Sequence, residues 1–236
     1  MKSSLGASLM VVLAAALQVG CPPKAQAVAI PVVEEKKSSL AVEVLSTPPQ
    51  ATITLKDRTL GLTPQSISVD TASDLLQLRA VIGESEAAEK RIRFLSPEKA
   101  EVHFLFGKNQ SPLARTLGLS KVLVFDYGEG ITFDVDQHEL RPVFAALLER
   151  QAEMLMAHFT NLDIYVCGHT DSSGNLNHNL ALSLARAQTV AESLAAKGVP
   201  RARMKVQGFG SAFPLASNDT VEGKALNRRT EIVLPQ

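Results

Sequence analysis

The stretch GHTDSSGNLNHNLALSLARA, Gly168 to Ala187, decides how the second half of this chain folds. An apolar β run, Leu162 to Cys167, ends at Gly168, and Asp171 follows on the exit loop. A helix is predicted from about Asn177 to Lys197, closed by Gly198, because glycine takes the left-handed backbone of a helix end at little cost. The 3.6-residue period sorts its side chains into two stripes. Leu180, Leu184, Ala187, Ala191 and Leu194 form an apolar stripe, expected to face a sheet. Asn179, Ser183 and Arg186 form a polar stripe at i, i+4, i+7. Arg186 is therefore expected beside the core-facing edge, and Asp171 can approach it where the loop folds back over the helix start.

Such a pair has two readings. An exposed Asp–Arg ion pair contributes under about 1 kcal/mol and means little. Alternatively, the pair can hold a zwitterion: the guanidinium takes a carboxylate through two parallel hydrogen bonds, and the carboxylate takes an ammonium. Residue spacing alone does not choose between them.

Working outward, Lys121 to Gln236 alternates strands and helices. Val122 to Phe125 and Ile131 to Phe133 are short β runs, and Pro142 suits a first helical position. Val143, Phe144, Leu147, Leu148, Met154 and Leu155 continue as a helical stripe to about Ala157. Met204 to Gln207 and Glu231 to Leu234 are the last strands. This order predicts an α+β fold with two helices packed on a small mixed sheet. Leu40 to Phe106 instead reads as a small all-β, sandwich-like unit. Val42/Val44, Ile53/Leu55, Ile67/Val69, Leu76/Leu78/Ala80, Ile92/Phe94 and Val102/Phe104/Phe106 alternate with polar residues between Pro and Gly breaks. The predicted division is a leader 1–21, a linker 22–39, a β domain 40–107, a connector 108–120 and the α+β domain 121–236.

Composition excludes several classes. The 236 residues carry 24 basic and 24 acidic side chains, which argues against a nucleic-acid binder. No tryptophan is present to line a sugar platform. Cys21 and Cys167 have neither metal nor redox spacing. Cys167, His169 and Asp171 alternate, but one loop edge rarely completes a four-ligand site, so neither metal nor cofactor is expected. Nothing pairs a nucleophile with an oriented base, so binding rather than catalysis is expected. His103, His138, His158 and His178 read as surface or internally satisfied residues, and Asn227-Arg228-Arg229 as anchors for the last strand and the Asn218 loop.

The leader has Lys2 and the apolar run Leu9 to Val19, shorter than the roughly 20 residues that span a bilayer. Two cleavage sites fit. LQVGC, Leu17 to Cys21, resembles a lipobox, which implies a lipid on Cys21 and attachment to the outer membrane. Ala25-Gln26-Ala27 is an ordinary A-x-A site, which would release a soluble periplasmic chain starting at Val28.

Two further resemblances emerge from motifs. STPPQATITLKDRTLGLTP, Ser46 to Pro64, resembles the opening of a PEGA domain, with Gln50 and Lys56-Asp57-Arg58 replacing the family's usual glycine and Asp-Gly. That likeness implies a β spacer or a surface for an envelope protein. Downstream, Phe133-Asp134, then Gly168-His169-Thr170-Asp171, then Asn179, Leu182, Ser183, Arg186 and Ala187 occur in order. Gly208, Gly210, Pro214, Asn218, Thr220, Gly223, Asn227-Arg228-Arg229 and Glu231 follow. This segment resembles the OmpA-like C-terminal domain, the peptidoglycan-associating domain of Pal-type lipoproteins. The resemblance implies non-covalent binding of peptidoglycan, with Asp171 and Arg186 contacting the diaminopimelate of a stem peptide. Phe133, Asp134 and Asn179 would line that pocket, and Thr170 would shape the loop or touch the ligand. The function implied is a tether between outer membrane and wall. The alternative is an envelope scaffold, or a subunit of a motility or transport complex using the same domain.

Overall fold

Two-residue alternation sets the first strand of the protein, for which a computed structural model describes residues 39–96, 98–107, 112–128, 132–134 and 136–236. The leader with Cys21, the alternative site at Ala27 and nearly all of the 22–39 linker lie outside the described residues. In β1 (Leu40–Thr47), Leu40, Val42 and Val44 are buried while Ala41 and Glu43 are exposed. The hairpin of β2 (Thr52–Leu55) and β3 (Arg58–Leu62) turns at Lys56, which has φ 55°, and β4 (Gln65–Val69) pairs antiparallel with β1.

Leu76, expected on a strand with Leu78 and Ala80, lies instead in a single helical turn, α1 (Asp74–Gln77). Thr71 and Asp74 cap one another. The Thr71 N–H donates to Asp74 Oδ2 at 3.0 Å, and the Asp74 N–H donates to Thr71 Oγ1 at 3.3 Å. This reciprocal cap starts a helix where alternation alone signals a strand. Strands β5 (Leu78–Ile82), β6 (Ser85–Glu86), β7 (Glu89–Ser96) and β8 (Lys99–Leu105) complete the β-rich segment. The short α2 (Pro112–Thr116) leads into the second segment.

That segment runs β9 (Val122–Gly128), α3 (Pro142–His158), β10 (Ile164–Gly168), α4 (Leu176–Ala196), β11 (Met204–Gly208), α5 (Val221–Asn227) and β12 (Arg229–Pro235). Pro142 opens α3, and Gly198, at φ 97°, follows α4. Of the run Ile131 to Phe133, Ile131 lies outside the described residues. Phe133 makes only an isolated bridge to Leu140. The architecture is an α+β domain, helices on a mixed sheet, preceded by a β-rich domain.

The two segments share a sheet. Its order is β11-β10-β12-β9-β7-β8-β1-β4, and a second sheet runs β3-β2-β5-β6. The seam is a parallel pairing of β7 with β9, from Glu89↔Val122 to Arg93↔Asp126. One face carries the main core, where Leu148 and Leu155 of α3 and Val190 and Leu194 of α4 share a cluster with Phe125, Ile164 and Ile232. Tyr127 donates to Gln151 Oε1 at 2.6 Å within it.

Strand alternation puts Glu89, Arg91, Arg93, Asp126, Arg229 and Glu231 on the opposite face. Arg91 bonds Glu89, Asp126 and Glu231; Arg93 bonds Asp126; Arg229 bonds Glu231. Burial disfavours the Glu231 carboxylate, but Arg229 and Arg91 outweigh it and hold its pKa well below the ordinary value.

Helix α4 lies closer to the sheet than its apolar stripe predicts. A Cβ on Gly168 would overlap the Ser183 carbonyl, and one on Gly208 would lie 2.7 Å from Leu184 Cα. Backbone contact at this point turns Asn179, Ser183 and Arg186 inward, and all three are buried. Leu180 and Leu184, expected to face the sheet, are each 39% exposed, while Ala187, Ala191 and Leu194 are buried. The expected facing therefore holds only for the C-terminal half of the stripe.

Gly168→Ala should force α4 off the sheet and cost about 1–3 kcal/mol, typical of overpacking. The urea midpoint should fall with an unchanged m-value; an unaltered midpoint would show that the contact yields freely.

Candidate functional site

The loop leaving β10 is held from three sides before it reaches α4. The Thr170 N–H donates to Gly210 O at 2.9 Å, and the Ser172 N–H to Asn218 Oδ1 at 3.0 Å. Asn179 Nδ2 donates to Ser173 O at 2.8 Å and to Asp171 O at 3.3 Å. Asn175 caps α4, its Oδ1 accepting the N–H groups of Asn177 and His178 at 2.8 and 3.3 Å. Asn179, read as lining a pocket, thus also braces the loop that carries Asp171.

Asp171 and Arg186 border one cleft of about 530 Å³, together with Thr170, Asn179, Asp136 and Arg228. Their polar groups meet other partners than each other. Asp171 Oδ1 accepts the Ser173 N–H at 2.7 Å, and Oδ2 pairs with Arg228 Nη1. Partial burial works against the Asp171 carboxylate, yet the Ser173 N–H and Arg228 together hold its pKa below the usual value. Arg186 Nε donates to Gln137 O at 2.8 Å and Nη2 to Asp134 O at 3.2 Å. Its guanidinium carbon lies 5.1 Å from the centre of the Phe133 ring, a cation–π stack that fixes its plane.

The other site residues predicted from sequence divide. Phe133 is buried beneath Arg186. Asp134 enters through its backbone carbonyl, while its exposed carboxylate lies 3.6 Å from Arg141 Nε. The Thr170 hydroxyl is buried without a hydrogen-bond partner among the described residues. Cys167 is buried, and burial followed by Glu231 pushes its thiol pKa up, far from a reactive thiolate. His169 is also buried, stacked on Phe209 with centroids 5.6 Å apart and lying 3.3 Å from Glu231.

Two features were missed in the sequence. Asn227 does anchor the Asn218 loop, accepting from the Leu215 and Ala216 N–H groups and donating to Asn218 Oδ1 at 3.0 Å. Arg229 anchors the last strand through Phe213 O at 3.0 Å. Arg228, read with them as an anchor, turns instead toward the cleft and Asp171. Arg228 stands at the end of α5, one residue before β12, so neither the helical nor the strand period fixed its direction in the sequence. At the mouth, His178 Nε2 lies 2.8 Å from Asp136 Oδ1, and both residues are exposed. No local pattern announced that bridge, since Asp136 sits in a loop at φ 57°.

The cleft therefore offers a carboxylate steadied by Arg228 and a guanidinium fixed on a phenyl ring. That pairing suits a ligand bearing both an ammonium and a carboxylate.

Comparison with known proteins gives a family match, two relatives and a solved structure. The OmpA family model matches residues 132–228. The chain is 40% identical over 112 residues to an Escherichia coli (strain K12) protein named "Probable lipoprotein YiaD", covering 48% of the chain and 51% of that protein. It is 36% identical over 121 residues to the peptidoglycan-associated lipoprotein of Rhizobium meliloti (strain 1021), covering 51% of the chain and 68% of that protein. The chain thus spans about half the length of the first relative. Among solved structures, the peptidoglycan-associated lipoprotein from Burkholderia pseudomallei aligns at 33% identity with a TM-score of 0.41, covering 44% of the chain and 87% of that structure.

Asp171 should titrate below 3.8, its ordinary value, and Arg228→Gln should move it upward, as followed by carboxyl-carbon NMR. A depressed folded pKa adds stability that is present above the unfolded value and lost as pH falls through the folded one. Below about pH 4 the original chain should therefore lose more stability than Arg228→Gln. Identical acid profiles would dismiss the ion pair.

Proposed function

The chain belongs to the OmpA family, and from that premise we propose that it binds peptidoglycan non-covalently and tethers the outer membrane to it. The observation that carries this reading is the gathering of Asp171, Thr170, Asn179 and Arg186 around one cleft, inside the segment that matches the family. The ligand is the diaminopimelate of a stem peptide, whose side chain ends in an amino group and a carboxylate on one carbon. Asp171 takes the ammonium and Arg186 the carboxylate. The ligand carboxylate replaces the 3.2 Å Arg186 bond to Asp134 O, while the Gln137 bond keeps the guanidinium in plane. Phe133 stacks beneath it, Asn179 holds the loop, and the Thr170 hydroxyl offers a donor and an acceptor to the peptide.

Anchoring at the other end is by lipid on Cys21. The two curated relatives above carry names that describe lipoproteins, and the Leu17–Cys21 stretch supplies the cysteine. The β-rich domain, PEGA-like in Ser46–Pro64, is a spacer that holds the cleft away from the membrane, with a surface open to an envelope protein.

Purified mature chain should pellet with isolated peptidoglycan, and Asp171→Ala or Arg186→Ala should each reduce pelleting at least about tenfold, as loss of a charge-assisted contact worth about 1.5–3 kcal/mol requires. Undiminished pelleting of both variants would remove the site assignment; no pelleting of the parent would remove the ligand. The whole mature chain is the right material, because cutting before β9 would strip its pairing with β7.

Mass spectrometry of the mature N-terminus should find a lipid-modified Cys21. An unmodified start at Val28 would end the lipoprotein reading.

A further inference from the structure

Away from the cleft, the β-rich domain buries an amine with no carboxylate partner among the described residues. Lys90 is 6% exposed, on the core side of β7 between Glu89 and Arg91, which face the other way. Its Nζ donates to Leu76 O at 2.9 Å and Leu78 O at 2.8 Å, the carbonyls where α1 ends and β5 begins. The Phe104 ring centre lies 5.9 Å away. Among the described residues no carboxylate lies within ion-pair distance of it. Burial first, and then the Arg79 cation, bring its pKa down from 10.5 to about 7.

A lysine held this way can be a structural cation closing off two carbonyls. The stereochemistry allows more. A neutral amine has two N–H bonds and one lone pair; the two N–H bonds serve the two carbonyls, and the lone pair is left over. Lys90 borders a cavity of about 260 Å³ whose wall includes Leu78, Ala80 and Phe104, and whose polar rim carries Arg79, Lys121 and Glu86. Glu86 is taken by Lys121, and its pKa is held low first by that bond. The rim thus sets Arg79 and Lys121 beside the Glu86 carboxylate and Gln236, with Arg79 exposed.

We propose that Lys90 is a nucleophilic amine that forms an imine with small carboxylate-bearing aldehydes or 2-oxo acids, whose carboxylate rests on the Arg79 side of the rim. The nitrogen lone pair bonds to the carbonyl carbon as the C=O π pair moves to oxygen. One nitrogen proton passes to that oxygen, giving a carbinolamine. The hydroxyl then leaves as water with the second nitrogen proton, and C=N forms. One water is released and nothing is oxidised or reduced. When protonated, the imine keeps one N–H for a backbone carbonyl.

The test uses the full mature chain at pH 8, where the Lys90 amine is neutral while exposed lysines stay mostly protonated. Glyoxylate, or neutral propanal, is added with cyanoborohydride, which reduces the imine to a stable secondary amine, and labelled lysines are mapped by peptide mass spectrometry over time. Lys90 should be labelled by glyoxylate at least about tenfold faster than the exposed Lys56 and Lys99, a margin that allows for the lower intrinsic nucleophilicity of a weaker base. Arg79→Gln should slow labelling of Lys90 by glyoxylate severalfold and leave labelling by propanal unchanged. Labelling of Lys56 and Lys99 with Lys90 spared, or of Lys90 only after unfolding in urea, would overturn the nucleophile. Equal slowing of both aldehydes by Arg79→Gln would overturn the carboxylate recognition.

Discussion

Helix α4 touches the sheet backbone to backbone, and the geometry of the cleft follows from that contact. Gly168 and Gly208 leave no side chain between the two layers. The helix settles until Ser183 can donate to Leu180 O at 2.9 Å and accept the Gly210 N–H at 2.9 Å. At that depth a leucine does not fit, so the helix rotates. Asn179, Ser183 and Arg186 go inward and Leu180 and Leu184 go partly outward. A buried guanidinium is costly unless its N–H groups find acceptors. The carbonyls of Gln137 and Asp134 provide them, which brings both residues against α4 and Phe133 beneath the cation. Two missing methyl groups therefore shape a cleft whose Asp171 follows Gly168 by three residues and whose Arg186 lies about one helical turn beyond Ser183.

On the other face, the carboxylates of Glu89, Asp126 and Glu231 meet the guanidiniums of Arg91, Arg93 and Arg229. Buried ion pairs add little net stability against an apolar replacement, yet removing one partner typically costs about 3–5 kcal/mol. Here the network has a second consequence. The parallel β7–β9 seam has no hairpin to set its register. A one-residue slip would turn Arg91 and Arg93 into the apolar core and take them from Asp126 and Glu231. The charges select one alignment of the two halves.

Much of this was legible in the chain. Period-2 runs located β1, β2 and β8, the 3.6 period located α3 and α4, and Pro142 and Gly198 marked helix boundaries. The ordered motifs brought Asp171, Asn179 and Arg186 to one place. What escaped depends on contacts between distant elements. An apolar stripe says which side chains prefer burial, but not that Gly168 and Gly208 let a polar stripe displace Leu180 and Leu184. Nothing local marks Arg91 as the centre of a buried ion network, because its partners Asp126 and Glu231 stand 35 and 140 residues further on. Leu76 fitted a strand until Thr71 and Asp74 capped a helical turn. Parallel pairing of β7 with β9 leaves no mark in either sequence, so the shared sheet could not be read from local pattern.

That shared sheet bears on how a tether would transmit force. In the proposed arrangement one end is fixed near the start of β1 and the other at Asp171, just past β10. The path between them through the sheet crosses β1–β8, β8–β7, β7–β9, β9–β12 and β12–β10 in turn. At the seam the register covers five residue pairs, Glu89 to Arg93 against Val122 to Asp126. Arg91 reaches past β9 to Glu231 on β12 at the same point, adding a link that does not depend on the β7–β9 backbone bonds. Arg91, Asp126 and Glu231 are buried, so the attraction is less screened than in an exposed pair. The ion network is then better understood as coupling the halves than as stabilising either one, because it spans the junction where register and load coincide.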